Sequence, residues 1–223
     1  FMFKNIETLE IVYNLDLNPE INKISLYDQV NEMLNLLDSS ENKRLFEYER
    51  LELKIEFSNT AKNTPNYDIP NLAEIYHSKL DKLEFIDYLN KEKNIEKVYR
   101  KAFSIEFPNL EELITRSSSI GYLINQNENL FTRLTNLKSL QIYNIYIKSL
   151  GNKVFEGLDN LEILSFFSNN INKVNSDAFN NLKRLKILNL SHNSLSEVDI
   201  NAFSQIRNAT IIRLNNNPEI KFF

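Results

Sequence analysis

The chain has 223 residues but no cysteine and no tryptophan, and only three glycines, five prolines and two histidines. Without cysteine there is no disulfide framework, no thiol nucleophile and no cysteine-based zinc site. Three glycines are too few for a phosphate-cradling or dinucleotide-binding loop, and no serine stands in a Gly-x-Ser-x-Gly setting. His77 has no cluster of carboxylates at ligand spacing around it, so neither a metal site nor a cofactor is expected. Basic residues number 26 against 30 acidic ones, a net charge of −4, and they form no dense patch. Nucleic acid is therefore not an expected partner. No stretch approaches about 18 consecutive apolar residues, so no membrane-spanning segment is expected. The opening Phe1-Met2-Phe3 also lacks the charged start and long apolar run of a signal peptide.

What the chain does have is a period. Leu134, Leu158, Leu182 and Ile206 stand 24 residues apart, and each opens the same series of apolar positions. From Leu182 the series runs Leu185, Leu188, Leu190, Asn193, Leu195, Val198, Ala202-Phe203 and then Ile206. A fixed period of this length means stacked units rather than one enlarging core.

The series Leu-x-x-Leu-x-x-Leu-x-Leu-x-x-Asn-x-Leu-x-x-Leu, closed by a phenylalanine, resembles the leucine-rich repeat family in its typical 24-residue form. The resemblance implies an α/β repeat solenoid. That solenoid is a horseshoe with a concave parallel β-sheet and a convex side of loops, turns and short helices. The whole of residues 1–223 reads as a single domain of about seven full repeats and a partial one. Irregular units are expected at 6–44 and 45–79, with a short helix from Leu26 in the first and a surface loop from Ser58 to Pro70 in the second. Units of 27 residues follow at 80–106 and 107–133, then regular ones at 134–157, 158–181 and 182–205, and a partial one at 206–223. The chain stops partway through a unit and is expected to be a fragment of a longer protein.

Two columns of residues have structural tasks. Asn169, Asn193 and Asn217 recur where the chain leaves each strand. An inward amide donates and accepts at once, and so satisfies backbone groups that have no ladder partner there. Phe103, Phe131, Phe155, Phe179 and Phe203 recur once per unit and are expected to stack into a convex-side spine. Two units depart from the pattern, with Ile145 and Ser118 in the asparagine slot, and local distortion is expected there.

The residues left free by the repeat are the candidates for binding. Alternation along each strand puts every second side chain on the exposed concave face, in rows about 5 Å apart between strands. One row is Ile163, Ile187 and Ile211; the next is Gln141, Ser165, Asn189 and Arg213; the third is Tyr143, Phe167, Ser191 and Asn215. Ile114 and Arg116 continue the face towards the N-terminus, and His192 sits just before its asparagine slot. Tyr143 and Phe167 are adjacent aromatics on a polar surface, the kind of anchor that interfaces favour. Asn189-Leu-Ser and Asn208-Ala-Thr are glycosylation acceptor patterns, although a glycan on Asn189 would occupy the same face.

The expected function is thus non-enzymatic protein recognition through the concave face. The resemblance implies an extracellular or cell-surface protein with a receptor, adhesion or innate immune role, as in Toll-type receptor ectodomains. A cytoplasmic interaction scaffold or effector, or the recognition domain of a larger enzyme, stays open beside it. The sequence does not specify an oligomeric state.

Overall fold

The computed structural model of the protein describes residues 3–16, 46–58, 80–87, 109–126 and 129–222. The expected helix from Leu26, the loop from Ser58 to Pro70 beyond its first residue, His77 and Phe103 lie outside these residues.

Eight strands form one parallel sheet. They are β1 (Phe3–Asp16), β2 (Phe46–Ser58), β3 (Leu80–Asp87), β4 (Glu112–Ser117), β5 (Ser139–Ile142), β7 (Ile163–Ser165), β9 (Ile187–Asn189) and β11 (Ile211–Arg213), in that spatial order. The short strands β6 (Ser149–Leu150), β8 (Lys173–Val174), β10 (Glu197–Val198) and β12 (Lys221–Phe222) make a second parallel sheet, each one unit from the next. Parallel neighbours in sequence order, joined by a return path, are what stacked repeats require. Among the described residues, no helix is long and apolar enough to cross a membrane.

The inward leucines set the register. Leu113, Leu140, Leu164, Leu188 and Ile212 pair side by side through the sheet. The first four of them are fully buried. Further towards the N-terminus the register continues through Leu83 and Leu53. Leu83, not Ile86, therefore stands beside Leu113, and Ile86 pairs with Arg116. The 27-residue spacing predicts Ile86 in that place. In a long alternating strand, however, either phase offers apolar residues, and the asparagine slot would fall on Tyr88 or Lys91, so no asparagine fixes which is used.

The asparagines reach back into the preceding unit. Asn169 accepts a hydrogen bond from the Ile145 N–H (2.9 Å) and donates to the Ile142 carbonyl (2.6 Å). Asn193 accepts from the N–H groups of Asn169 (3.0 Å) and Ile171 (2.9 Å) and donates to the Phe166 carbonyl (2.7 Å). Asn217 accepts from the Leu195 N–H (3.0 Å) and donates to the Leu190 carbonyl (3.0 Å). Each amide thus closes the turn of the unit before it. The residue preceding the slot is left-handed each time, with φ of 53° at Asn144, 60° at Ser168, 56° at His192 and 57° at Asn216. Asparagine tolerates this conformation best, which accounts for two of the four.

The departure at Ser118 and Ile145 has one cause. The β4 unit leaves its strand through a helix, α1 (Ser118–Asn125), which satisfies its own backbone. No amide from the next unit is needed there, and the slot holds Ile145, buried beside the helix. Gly121 lets the two approach: a Cβ on it would lie 3.1 Å from the Tyr146 carbonyl oxygen and 3.2 Å from the Ile145 Cδ1. Asn125 ties the helix end to the neighbour, donating to the Tyr146 carbonyl (3.0 Å) and accepting from the Lys148 N–H (2.7 Å). In this unit Thr115 fills the place that Ile142, Phe166 and Leu190 take elsewhere, and its hydroxyl is buried with no hydrogen-bond partner.

On the opposite side, the phenylalanine rings stack along the solenoid. Phe155 and Phe179 lie 6.0 Å apart between centroids, nearly parallel, and Phe179 and Phe203 lie 6.1 Å apart. Phe131, Phe155 and Phe179 are fully buried, and Phe166 meets Phe155 edge-on at 5.6 Å. These contacts are packing chemistry, and they hold the sheet rigid from behind.

Candidate ligand-binding face

A row of side chains crosses the concave sheet without a gap. It starts at Arg116, one residue before the end of β4, whose guanidinium lies over the Tyr143 ring at 6.0 Å. Tyr143 meets Phe167 edge-on, with centroids 6.4 Å apart. Phe167 lies 4.7 Å from the His192 ring, and the Asn216 amide nitrogen reaches the His192 Nε2 at 2.7 Å. Five consecutive units each supply one member. The first three occupy the third exposed row. His192 and Asn216 are offset by one residue, because their left-handed backbone turns the side chain back over the face.

Tyr143 is the most firmly held of them. Its hydroxyl donates to the Gln141 Oε1, and Gln141 in turn donates to Glu112 (2.8 Å) and to Ser139 (3.1 Å). Burial pushes the Tyr143 phenol above its ordinary range, against the opposing pull of the Ser165 hydrogen bond and the Arg116 charge. The ring is therefore fixed before any ligand arrives.

The other sequence-predicted residues divide. Ile114 and Asn189 are half-buried on the middle row, while Arg213 and Asn215 are exposed. Ser165 and Ser191 have the outward phase but are 5% and 3% exposed, so they are not available to a ligand. The Ser191 backbone N–H and hydroxyl both donate to the Asn189 carboxamide oxygen, at 3.1 and 2.5 Å. Their small side chains lie beneath the larger neighbours and support them. Ile163 and Ile211 are 36% and 39% exposed and make an apolar band beside the polar row.

N-terminal to the aromatic row, the face is a checkerboard of charge. Lys82 pairs with Glu52 at 3.0 Å and Lys54 with Glu84 at 3.8 Å. The hydrogen bond to Glu52 and the surrounding carboxylates hold the Lys82 ammonium above its usual range, although burial, the largest single influence, acts in the opposite direction. Sequence reading missed Asn216 as the end of the row and Glu112 as the anchor of Gln141. Spacing alone could have supplied Asn216, which stands 24 residues after His192.

A second ladder runs along the edge where the chain rises into each strand. Asn160 donates to the Thr135 carbonyl (2.8 Å), Asn208 to the Lys183 carbonyl (2.7 Å), and Arg184 to Asn160 (2.7 Å). Beside it, Lys138 pairs with Glu111 at 2.5 Å and Lys186 with Glu162 at 2.7 Å. Of these, Glu111, Lys138, Asn160, Glu162 and Arg184 line a polar trough of about 450 Å³, together with Asp81, Asn109 and Asn136.

No curated protein matches the chain. Among solved structures, it is similar to one from the Toll - Spatzle complex of Drosophila, at 14% identity and a TM-score of 0.48, covering 94% of this chain and 31% of that one. It is also similar to one from the TLR13-ssRNA13 complex, at 16% identity and a TM-score of 0.38, covering 78% of this chain and 36% of that one. The chain thus spans about a third of the length of either. The family model described as leucine rich repeat matches residues 164–218. That stretch contains β7 to β11 with Asn169, Asn193 and Asn217, and the same strand register continues upstream of it. Residues 164–218 thus carry leucine-rich repeats, within a longer solenoid of stacked parallel strands.

Proposed function

We propose that the protein is a non-enzymatic recognition module that captures a protein ligand on its concave face. The observation that carries this reading is the unbroken row Arg116–Tyr143–Phe167–His192–Asn216. Aromatic rings held in place by their neighbours lose little freedom on binding, which is why such groups dominate interface energetics. The outward polar groups of the row are tied to one another, an arrangement suited to complementarity rather than to proton transfer.

Selection of a displayed random peptide library on the purified protein tests this, because peptides gather at energetic hot spots. Most selected peptides are expected to lose at least about 2 kcal/mol of affinity on the Tyr143→Ala, Phe167→Ala double variant, checked for an unchanged urea midpoint. Peptides that bind the double variant as well as the parent would overturn the concave-face reading.

The same proposal places the protein outside the cell or at its surface, in a receptor, adhesion or immune role. Support comes from the acceptor pattern at Asn208, which is exposed on the rising edge and away from the aromatic row. A glycan leaves one amide N–H, so the bond to Lys183 survives it. Expression through a secretory pathway is expected to give a glycosidase-sensitive mass that Asn208→Gln removes. Absence of that mass would count against this location. Asn189 is half-buried with its carboxamide oxygen engaged, and is expected to stay unmodified.

A further inference from the structure

The face has a charge asymmetry that the packing does not explain. On β2 to β4 three outward carboxylates have partners: Glu52 holds Lys82, Glu84 lies by Lys54, and Glu112 accepts from Gln141. From Ser139 to Asn215, the outward strand positions of β5 to β11 carry no carboxylate at all. Yet two guanidiniums bracket this region. Arg116 is exposed, and among the described residues its guanidinium has no ion pair and lies over the Tyr143 ring. Arg213 on β11 is exposed, and its guanidinium has no ion pair or hydrogen bond among the described residues. His192 lies between them, exposed. In a chain of net charge −4, the aromatic part of the face from β5 to β11 thus has a guanidinium at each end and no outward carboxylate between them.

From these positions we infer that the ligand presents an acidic, extended protein segment with two carboxylates flanking apolar side chains. This rests on the concave-face reading above and adds the chemistry of the partner. Arg116 and Arg213 are separated by four inter-strand steps, roughly 20 Å with the offset along the strand. An extended chain covers that distance in about six residues, so the matching carboxylates stand five to seven positions apart. Between them, side chains on one side of the segment meet the Tyr143–Phe167 pair, and those on the other meet the Ile163–Ile211 band. Guanidinium and carboxylate form bidentate pairs, and no carboxylate on the outward positions of β5 to β11 stands between the two guanidiniums to compete for them.

The displayed-peptide selection distinguishes the two readings. Enriched peptides are expected to carry two Asp or Glu residues five to seven positions apart around a Phe, Leu or Tyr. Arg116→Glu with Arg213→Glu is expected to weaken them by at least about thirtyfold, and each single reversal by about fivefold. Raising the salt from low to high is expected to cost them about tenfold. Neutral or basic peptides that need Phe167 but ignore both arginines would overturn the acidic partner and leave the face intact. Peptides that ignore Phe167 as well, or no enrichment at all, would overturn both. A sulfated oligosaccharide serves as the control anion: binding of it through both arginines, with no acidic peptide enriched, would also overturn the inference.

Discussion

Replacing Asn193 by leucine removes a buried amide while keeping its branched shape, and the structure sets the cost. Two N–H groups, of Asn169 and Ile171, and one carbonyl, of Phe166, have the Asn193 amide as their partner. The Leu190 carbonyl keeps the Asn217 amide, and the Ser191 carbonyl keeps the Ser168 N–H, so neither is orphaned. Three buried groups without partners cost about 1–3 kcal/mol each. The added apolar burial offsets about 2 kcal/mol of this, which leaves a loss of about 3 kcal/mol. Asn169→Leu strands two groups, the Ile145 N–H and the Ile142 carbonyl, and is expected to cost less. Asn217→Leu acts beside the half-buried Leu214 and is expected to cost least of the three. Urea unfolding followed by circular dichroism gives the ranking, and hydrogen exchange at the Asn169 and Ile171 amides locates the damage. A change at Asn193 within about 0.5 kcal/mol of the parent, the scatter of ordinary surface substitutions, would refute the reasoning. So would Asn217→Leu costing more than Asn193→Leu.

Two further substitutions test the packing and the site. Gly157 has φ of +84°, and a Cβ there would lie 2.7 Å from the Cα and carbonyl oxygen of Thr132, which are backbone atoms and cannot step aside. Gly157→Ala is expected to cost about 3 kcal/mol, of which the left-handed conformation supplies about 1–2; a loss below about 1 kcal/mol in the same urea assay would mean that the close approach does not exist. Tyr143 should be among the last tyrosines to ionise in an ultraviolet titration, because burial raises its pKa above 10.0. Its neutral form favours the fold, so that contribution is complete below the unfolded pKa and fades as pH rises through the folded one. Tyr143→Phe should remove the late component, and ionisation of Tyr143 with the bulk would show its ring to be free.

From Leu134 onward the sequence was nearly sufficient. The period placed Leu140, Leu164 and Leu188 in register, named the asparagines and aligned the phenylalanines, because each of these residues answers a requirement that recurs in every unit. Upstream the requirement changes. The helix α1 carries Ile120, Leu123 and Ile124 at helical spacing, a signal hidden by the expectation of another asparagine turn. Ile145 was its correlate, since an apolar residue can fill the slot only where the preceding unit needs no amide. The face was legible in its phase but not in its depth. Alternation points Ser165 and Ser191 outward, and only the bulk of their neighbours buries them. The link from Phe167 through His192 to Asn216 depends on left-handed residues, which a strict period-of-two reading does not contain.

The backward reach of the asparagines gives the solenoid a direction in time as well as in space. Each amide is made 22 to 27 residues after the backbone groups it satisfies. On a ribosome, a turn therefore stays open to water until the following unit emerges and seals it. The β4 unit is the exception, because α1 completes its own backbone without a successor. A halt there leaves no turn waiting for an asparagine, although the edge of β4 still waits for β5. A halt one unit later leaves the Ile145 N–H and the Ile142 carbonyl waiting for Asn169.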